Sequence, residues 1–381
     1  MMRSSSARPL VFVINSLEGG GAERVFATVV NRLVDDAGRL DGAEVHVVLL
    51  DTLEQKYPIS AQVTLHELDC GGSTLTSIRR LRALLKALGP DCVISFLTRA
   101  NVANILARGR GGHRTIISER VNTSSHFGSG LSGRVGKASV RLTYPRADAV
   151  IAVSGGVRDD LVSHYGVSQD RAEVIPNPYD IEVIRDAGAQ EPEITLPEQY
   201  VVAVGRLAPN KNFAMLIDAF ARSNYDGSLV ILGEGEERAS LSARAESLGI
   251  GDRVLLPGFV SNPHAVVARA RFYASSSNAE GFPNAMAEAM VLSRAVVATD
   301  CPSGPSELLG GSAEGRGSFS VGEHGLLVCT DDAEGMAAGM RHLAEAETAS
   351  AFGKQGAARV EDFRVDRIAE RYRDFIREIR S

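Results

Sequence analysis

Four charged side chains in the second half of this 381-residue sequence are of the types that handle a phosphorylated ligand. Arg206 and Lys211 fall within Gly205-Arg206-Leu207-Ala208-Pro209-Asn210-Lys211-Asn212, directly after an apolar run. A guanidinium offers a phosphate a fork of donors, and an ammonium on a flexible stem offers a mobile point charge. Two such cations bracketing a diphosphate would offset the negative charge of a departing nucleoside diphosphate without a metal ion. Glu280 and Glu288 flank Gly281-Phe282-Pro283-Asn284. Pro283 suits the first position of a helix, which sets Glu280 and Gly281 outside its mouth and Glu288 about one turn inside, on the face of Asn284. Carboxylates so placed accept hydrogen bonds from sugar hydroxyls, while N–H groups of the first turn meet phosphate or hydroxyl oxygens. The helix dipole alone favours acids there, but it does not account for the Gly-Phe-Pro-Asn between them. A third candidate is Glu18-Gly19-Gly20-Gly21-Ala22-Glu23-Arg24, at an early strand-to-helix turn where backbone amides could approach an anion. Its spacing is not that of a dinucleotide-binding fingerprint.

The elements that must position these residues follow from the hydrophobic pattern. Strands are predicted at 10–15, 44–50, 62–67, 91–96, 114–118 and 147–153, with helical patterns such as 22–35 and 76–88 between them. That alternation means a parallel sheet covered by helices on both faces. Pro176, Pro178, Pro192 and Pro197 then interrupt it, and prolines at that density predict a linker. The alternation restarts with strands at 200–205, 228–232, 253–257, 272–274 and 295–299, and with helices at 212–221, 236–248, 263–269 and 283–291. The reading is therefore α/β, with two Rossmann-like doubly wound parallel-sheet domains facing a central cleft and ligands at the carboxyl ends of the strands. The boundaries are 1–180 for the first domain, 181–198 for the linker, 199–362 for the second, and 363–381 for an amphipathic helix crossing back to the first.

Composition narrows the class. With 44% hydrophobic and 23% charged residues the chain is neither disordered nor membrane-spanning. No hydrophobic region of signal-peptide type follows the first nine residues, despite Arg3 and Arg8. Cys70, Cys92, Cys301 and Cys329 are scattered, which speaks against a zinc ribbon or disulfide framework and for a reducing cytoplasm. The net charge of -6 conceals a basic stretch, 76–146, where thirteen Lys and Arg, Arg110 among them, face only Asp91 and Glu119. Such a stretch attracts an anionic partner, a lipid headgroup layer before a nucleic acid, since interleaved aromatics are few.

Taken together, these motifs resemble those of the family-4 retaining glycosyltransferases of GT-B fold. The paired Glu280 and Glu288 with Gly-Phe-Pro after the first, Gly205-Arg206-Leu207 with Lys211, the Gly19–Gly21 loop and Ile175-Pro176-Asn177-Pro178 all take part. The run Ala298-Thr299-Asp300-Cys301-Pro302-Ser303-Gly304-Pro305-Ser306-Glu307 is similar to a bacterial subgroup that extends polyprenyl-diphosphate-linked glycans. The resemblance implies that Arg206 and Lys211 hold the donor diphosphate and Glu280 the donor sugar, these three being the expected catalytic residues. It implies further that Glu288 holds the ribose, that Gly281, Phe282, Pro283 and Asn284 complete the sugar pocket through backbone groups, that Val260 meets the base, and that Gly19, Gly20 and Gly21 border diphosphate and acceptor. Many relatives carry a His in the first domain where this chain reads Ser118-Glu119-Arg120-Val121-Asn122; His126 comes later and is not assigned a role.

The expected activity is metal-independent, retaining transfer of a hexose or N-acetylhexosamine from a UDP-sugar to a glycan acceptor, lipid-linked by the subgroup resemblance. No side chain stands out as a nucleophile, so the leaving diphosphate is expected to deprotonate the acceptor, with catalysis by charge stabilisation and orientation. No cofactor is expected beyond the UDP-sugar as co-substrate, and no DxD pair asks for a metal. The expected location is the cytoplasm, at the inner membrane face through anionic lipid. Three competing readings are a transferase for a soluble acceptor, a non-catalytic nucleotide-sugar-binding protein, and a phosphorylase or epimerase. The phosphorylase would need a pyridoxal-phosphate lysine, for which no setting is evident.

Overall fold

The computed structural model describes residues 8–109, 112–128 and 130–381. Arg3 and Arg110 lie outside the described residues. The chain divides into two compact units, the first holding residues up to Pro178 together with Val365–Ser381, the second Tyr179–Arg364.

The first unit is built on β1 (Leu10–Ile14), β2 (Arg39–Leu40), β3 (Ala43–Leu49), β4 (Thr64–Glu67), β5 (Cys92–Phe96), β6 (Arg114–Glu119), β7 (Ala149–Ala152) and β8 (Ala172–Val174). The order β3-β1-β5-β6-β7-β8 is parallel throughout, β4 adds parallel to β3, and β2 pairs antiparallel with its first residues. Every residue of β1 is buried. Leu10, Phe12 and Ile14 join one core and Val11 and Val13 another, as a strand covered on both faces requires. The last helix, Val365–Arg380, completes the first of these cores with Ile368, Ala369, Tyr372 and Ile376. Their spacing of about one turn makes a single stripe, which packs against the helix Gly21–Leu33. Ion pairs from Arg377 to Asp41 and from Arg380 to Asp91 (2.9 Å) fasten its end to the same unit.

The second unit contains β9 (Tyr200–Val204), β10 (Ser228–Leu232), β11 (Val254–Gly258), β12 (Phe272–Ser275), β13 (Ala295–Thr299), β14 (Ser320–Val321) and β15 (Leu326–Val328). Their order is β11-β10-β9-β12-β13-β15-β14, parallel except for β14. The order reverses direction at β1/β5 in the first sheet and at β9/β12 in the second. Only Phe272 and Tyr273 of β12 pair with β9, so these strands part beyond Tyr273, and the loops that follow them flank a crevice at their carboxyl ends.

Two expectations need correction. The segment read as a linker holds a nine-residue helix, Ile181–Ala189, capped by the Asp180 side chain and buried through Ile181, Ile184 and Gly188. Pro283 is the N-cap, not the first residue, of the helix Asn284–Val291. The basic stretch, moreover, is not one cationic surface. Arg99 pairs with Asp51, Arg108 with Asp148, and Arg120 is buried.

Candidate functional site

The loop after β9 carries Arg206 and Lys211. Hydrogen bonds from Gly205 N to Leu232 O and from Leu207 N to Glu234 O, both 2.9 Å, bind this loop to the chain leaving β10. Gly233 allows that approach: its φ is +138°, and a Cβ there would sit 2.0 Å from the Gly205 carbonyl. With Leu207 and Ala208 buried, the loop turns through Pro209–Lys211 into the helix Phe213–Ser223.

The loop after β12 carries Glu280 and is tied to the first. Asn278 N donates to Asn210 O (2.8 Å), Ser276 Oγ to Lys211 O (2.7 Å), and Asn212 Nδ2 to Asn278 Oδ1 (3.2 Å). These bonds hold Lys211 Nζ 2.5 Å from Glu280 Oε1, which also accepts from Ser277 Oγ (2.6 Å). The pair is largely buried, its side chains 24% and 12% exposed. Its field reaches further groups: burial pushes the Cys301 thiol up to about 12, with the Glu280 carboxylate adding to the rise and Lys211 opposing it. Burial, and after it Glu280, also raises Tyr273. Lys211, Tyr273, Ser277, Glu280 and Asn284 line a small cavity of about 20 Å³.

Glu288 sits on the helix Asn284–Val291 and meets His264 Nε2 at 3.0 Å. Asn284 Oδ1 accepts from Tyr179 Oη at 2.7 Å. The Phe282 ring is buried against Tyr179 and Phe363, so it anchors the loop and leaves the backbone of that loop as its functional surface. Val260 is buried likewise, while its neighbour Phe259, after β11, is 78% exposed.

The structure thus brings Lys211, Glu280, Gly281, Pro283, Asn284 and Glu288 together around two adjoining loops and one helix. Arg206 shares their loop, but its exposed side chain makes no ion pair among the described residues. Gly19, Gly20 and Gly21 belong to the other unit, at the end of its own switch-point strand β1. Gly19 has φ +146°, and Gly20 is the N-cap of Gly21–Leu33. Burial is the main cause that raises the carboxyl of Glu23 in the first turn, and Glu18 adds to it. In the same unit Glu119, fully buried, accepts from Tyr144 Oη, Thr98 Oγ1 (3.2 Å) and Arg120 N (3.0 Å); burial raises its pKa, and these hydrogen bonds oppose the rise. His126 is exposed and stacks edge-on against Phe127. Among the described residues no cluster of three His, Cys, Asp or Glu could hold a metal ion.

Sequence reasoning missed His264, Ser277 and Tyr179. Ser277, three residues before Glu280 in the same loop, was the one within reach of a local signal; the other two reach their partners only through the fold.

The protein-family model "Glycosyltransferase Family 4" matches residues 19–183, and "Glycosyl transferases group 1" matches 198–346. The N-acetylgalactosamine-N,N'-diacetylbacillosaminyl-diphospho-undecaprenol 4-alpha-N-acetylgalactosaminyltransferase of Campylobacter jejuni is 33% identical over 87% of this chain and 89% of its own. A second C. jejuni protein, a GalNAc-alpha-(1->4)-GalNAc-alpha-(1->3)-diNAcBac-PP-undecaprenol alpha-1,4-N-acetyl-D-galactosaminyltransferase, is 26% identical over 97% of this chain and 98% of its own. Among solved structures, Anabaena HepE in complex with UDP superimposes with a TM-score of 0.74 at 18% identity, over 97% of this chain and 100% of HepE. On the breadth of these matches and the two-sheet GT-B architecture, the chain belongs to the family-4 glycosyltransferases.

Proposed function

We propose that the protein transfers a hexose or N-acetylhexosamine from a UDP-sugar to a lipid-linked glycan acceptor in cell-surface glycan assembly, retaining the anomeric configuration and using no metal. The observation that carries this reading is the Lys211–Glu280 pair at the β9/β12 switch point, in a chain of this family. An ammonium has three donors, so Lys211 can keep Glu280 and still give N–H groups to a phosphate. Arg206, exposed on the same loop, is the second cation for the diphosphate. Glu280 accepts from hydroxyls of the donor sugar, and Glu288, held by His264, accepts from those of the ribose.

In the step itself the bond from the anomeric carbon to the UDP oxygen breaks. The acceptor oxygen bonds to that carbon on the same face, and its proton passes to the leaving phosphate oxygen. The charge that grows on UDP is offset by Arg206 and Lys211, which is the term a metal ion would otherwise supply. Support for UDP comes from the HepE complex, and support for the acceptor from the undecaprenol-linked glycans named for the C. jejuni relatives. Those relatives are named for α-linked products, which an α-linked UDP-sugar gives when configuration is kept. Work on such an acceptor calls for peripheral attachment at the cytoplasmic membrane face, and no helix among the described residues is long and apolar enough to cross a membrane.

The deciding experiment is a panel of UDP- and GDP-sugars assayed for nucleotide release, with and without short polyprenyl-diphosphate glycans. Release of UDP that depends on the lipid-linked acceptor, an α-anomeric product by NMR, and indifference to EDTA are expected. GDP release in place of UDP, an inverted product, or a loss in EDTA that magnesium or manganese restores would each overturn the corresponding part.

A further inference from the structure

The helix Leu131–Thr143 is amphipathic the wrong way round for a helix on a globular surface. Its inward face is small: Gly133, Val140 and Thr143 are buried, and Gly136 lies so close to Phe127 that a Cβ would meet the ring at 2.4 Å. Both of its leucines and Val135 point outward, with Leu131 80%, Val135 63% and Leu142 65% exposed. Spacings of four and seven residues return to one side of a helix with about 3.6 residues per turn, so the three form a single stripe, continued by exposed Ala138. Surface helices ordinarily keep that stripe for the core.

Beside the stripe, and again on one side, stand Arg134, Lys137 and Arg141. None of the three makes an ion pair among the described residues, unlike Arg99 and Arg108 of the same basic stretch. The sequence from 123 to 147 contains no carboxylate at all. Asp159 and Asp160 lie on the neighbouring helix Gly155–Tyr165; the first pairs with Arg158, and the second is buried and accepts from Ser124 N and His164. Lys137 and Arg141 border a surface hollow of about 470 Å³ with Ser124, Ser163, His164 and Tyr165, which gives a phosphate headgroup room beside the two cations.

We infer that this helix docks the first unit on an anionic lipid leaflet, lying in the plane of the headgroups with Leu131, Val135 and Leu142 in the acyl boundary and Arg134, Lys137 and Arg141 on lipid phosphates. An apolar stripe flanked by cations fits a surface that is apolar below and negative above, and a soluble polyanion would have no use for the stripe. This deepens the reading of a lipid-linked acceptor, and names the element and the partner that bring the chain to it.

The chain has no Trp, so Leu131→Trp makes a lone reporter. Its emission should shift to shorter wavelength on adding phosphatidylcholine vesicles that contain phosphatidylglycerol, and should not move with phosphatidylcholine alone. In sedimentation with the anionic vesicles, the triple variant Arg134→Gln/Lys137→Gln/Arg141→Gln should bind about 100-fold more weakly, roughly fivefold per cation near such a surface. Leu131→Ser/Leu142→Ser should lose about tenfold or more, and that loss should persist in high salt. Because Leu131, Arg134, Arg141 and Leu142 are exposed and Lys137 is only half-buried at the rim of the hollow, both variants should keep the parent melting temperature and its UDP affinity. Equal binding by the triple variant and the parent would overturn the helix assignment. A parent dimer that the apolar variant splits, with vesicle binding unchanged, would assign the stripe to a second copy instead. A parent that ignores anionic vesicles, yet still transfers sugar to a detergent-dispersed acceptor, would overturn the docking inference and leave the transferase reading standing.

Discussion

The two units share a strand order, and each reverses it at one point, yet the charged groups near that point are partnered differently in each. In the second unit the ionisable groups are gathered where the loops meet the helix and partnered by opposite charge or imidazole: Lys211 on Glu280 and His264 beside Glu288, both pairs largely buried, with Arg206 in the open. In the first unit they are turned inward. Glu119 is sealed under Tyr144 and Thr98, and Arg120 is buried over the Phe96 ring with Ser118, Asn177 and Tyr372 as partners. Around β5, Ser95, Asn101, Asn104 and His113 are linked in one buried hydrogen-bonded network that reaches Tyr144 through Asn101. What β1 offers at its end is the backbone of Gly19–Gly21, with the Lys56 side chain beside Gly19 and the Glu23 carboxyl beside Gly20. Topology provides two equivalent switch points; on the proposed function, the charged loops of the second unit take the diphosphate, and the glycine turn of the first borders the acceptor glycan.

That contrast breaks most decisively at Lys211. Lys211→Ala and Arg206→Ala should each lower turnover by ~10²-fold or more, the loss expected when a donor to developing charge is removed. Steady-state rates of UDP release measure it, with circular dichroism to show that the fold is kept. Near-normal turnover in both variants would mean that the second unit's charges are structural, like those of the first.

On the inward-turned side the prediction concerns stability. His113 Nε2 lies 3.0 Å from Asn104 Oδ1, and burial, helped by Arg108, holds its pKa down at about 4 against an ordinary 6.5. The folded unit keeps the imidazole neutral while the unfolded chain takes up a proton. The stability this supplies is therefore complete above pH 6.5 and drains away as the pH falls towards 4. The loss is on the order of 3 kcal/mol, at about 1.4 per pKa unit. His113→Gln, which can still donate to Asn104, should flatten that acid limb. Urea unfolding followed by hydrogen exchange in β5 and β6 would show it. An unchanged limb would mean that His113 protonates freely in the folded unit.

How much of this was legible in the sequence depends on whether the signal was local. The strands and helices were, because alternation of β-branched and helical runs is a property of neighbouring residues. The helix Ile181–Ala189 was not, since four prolines in one stretch suggested a linker, whereas they flank an Asp-capped segment with Ile181, Ile184 and Gly188 on one face. Lys211 and Glu280 were legible as strand-end residues, because polar, proline-bearing loops after apolar runs announce such positions. Charge counting could not resolve the basic stretch residue by residue, for a simple reason. A linear sum cannot separate Arg120, whose guanidinium faces Asn177 and Tyr372 inside the unit, from Arg134, which faces out.

His264 was invisible for the same reason, and it gives the smallest and most specific test. Twenty-four residues separate it from Glu288, and only the adjacency of their two short helices brings the imidazole to the carboxylate. If Glu288 grips the ribose, His264 is a positioning residue: it fixes which way the carboxylate faces and touches no reacting atom. One such hydrogen bond is worth about 1 kcal/mol, so His264→Ala should raise the UDP dissociation constant roughly fivefold, while turnover at saturating donor stays near normal. His264→Gln, which keeps a donor, should recover most of the loss. The preference for UDP over 2′-deoxy-UDP should shrink in the alanine variant, because a carboxylate free to rotate no longer discriminates between one hydroxyl and two. A parent enzyme with no such preference would remove the ribose role from Glu288. A preference that survives His264→Ala intact would leave Glu288 its role and return His264 to the packing of its helix.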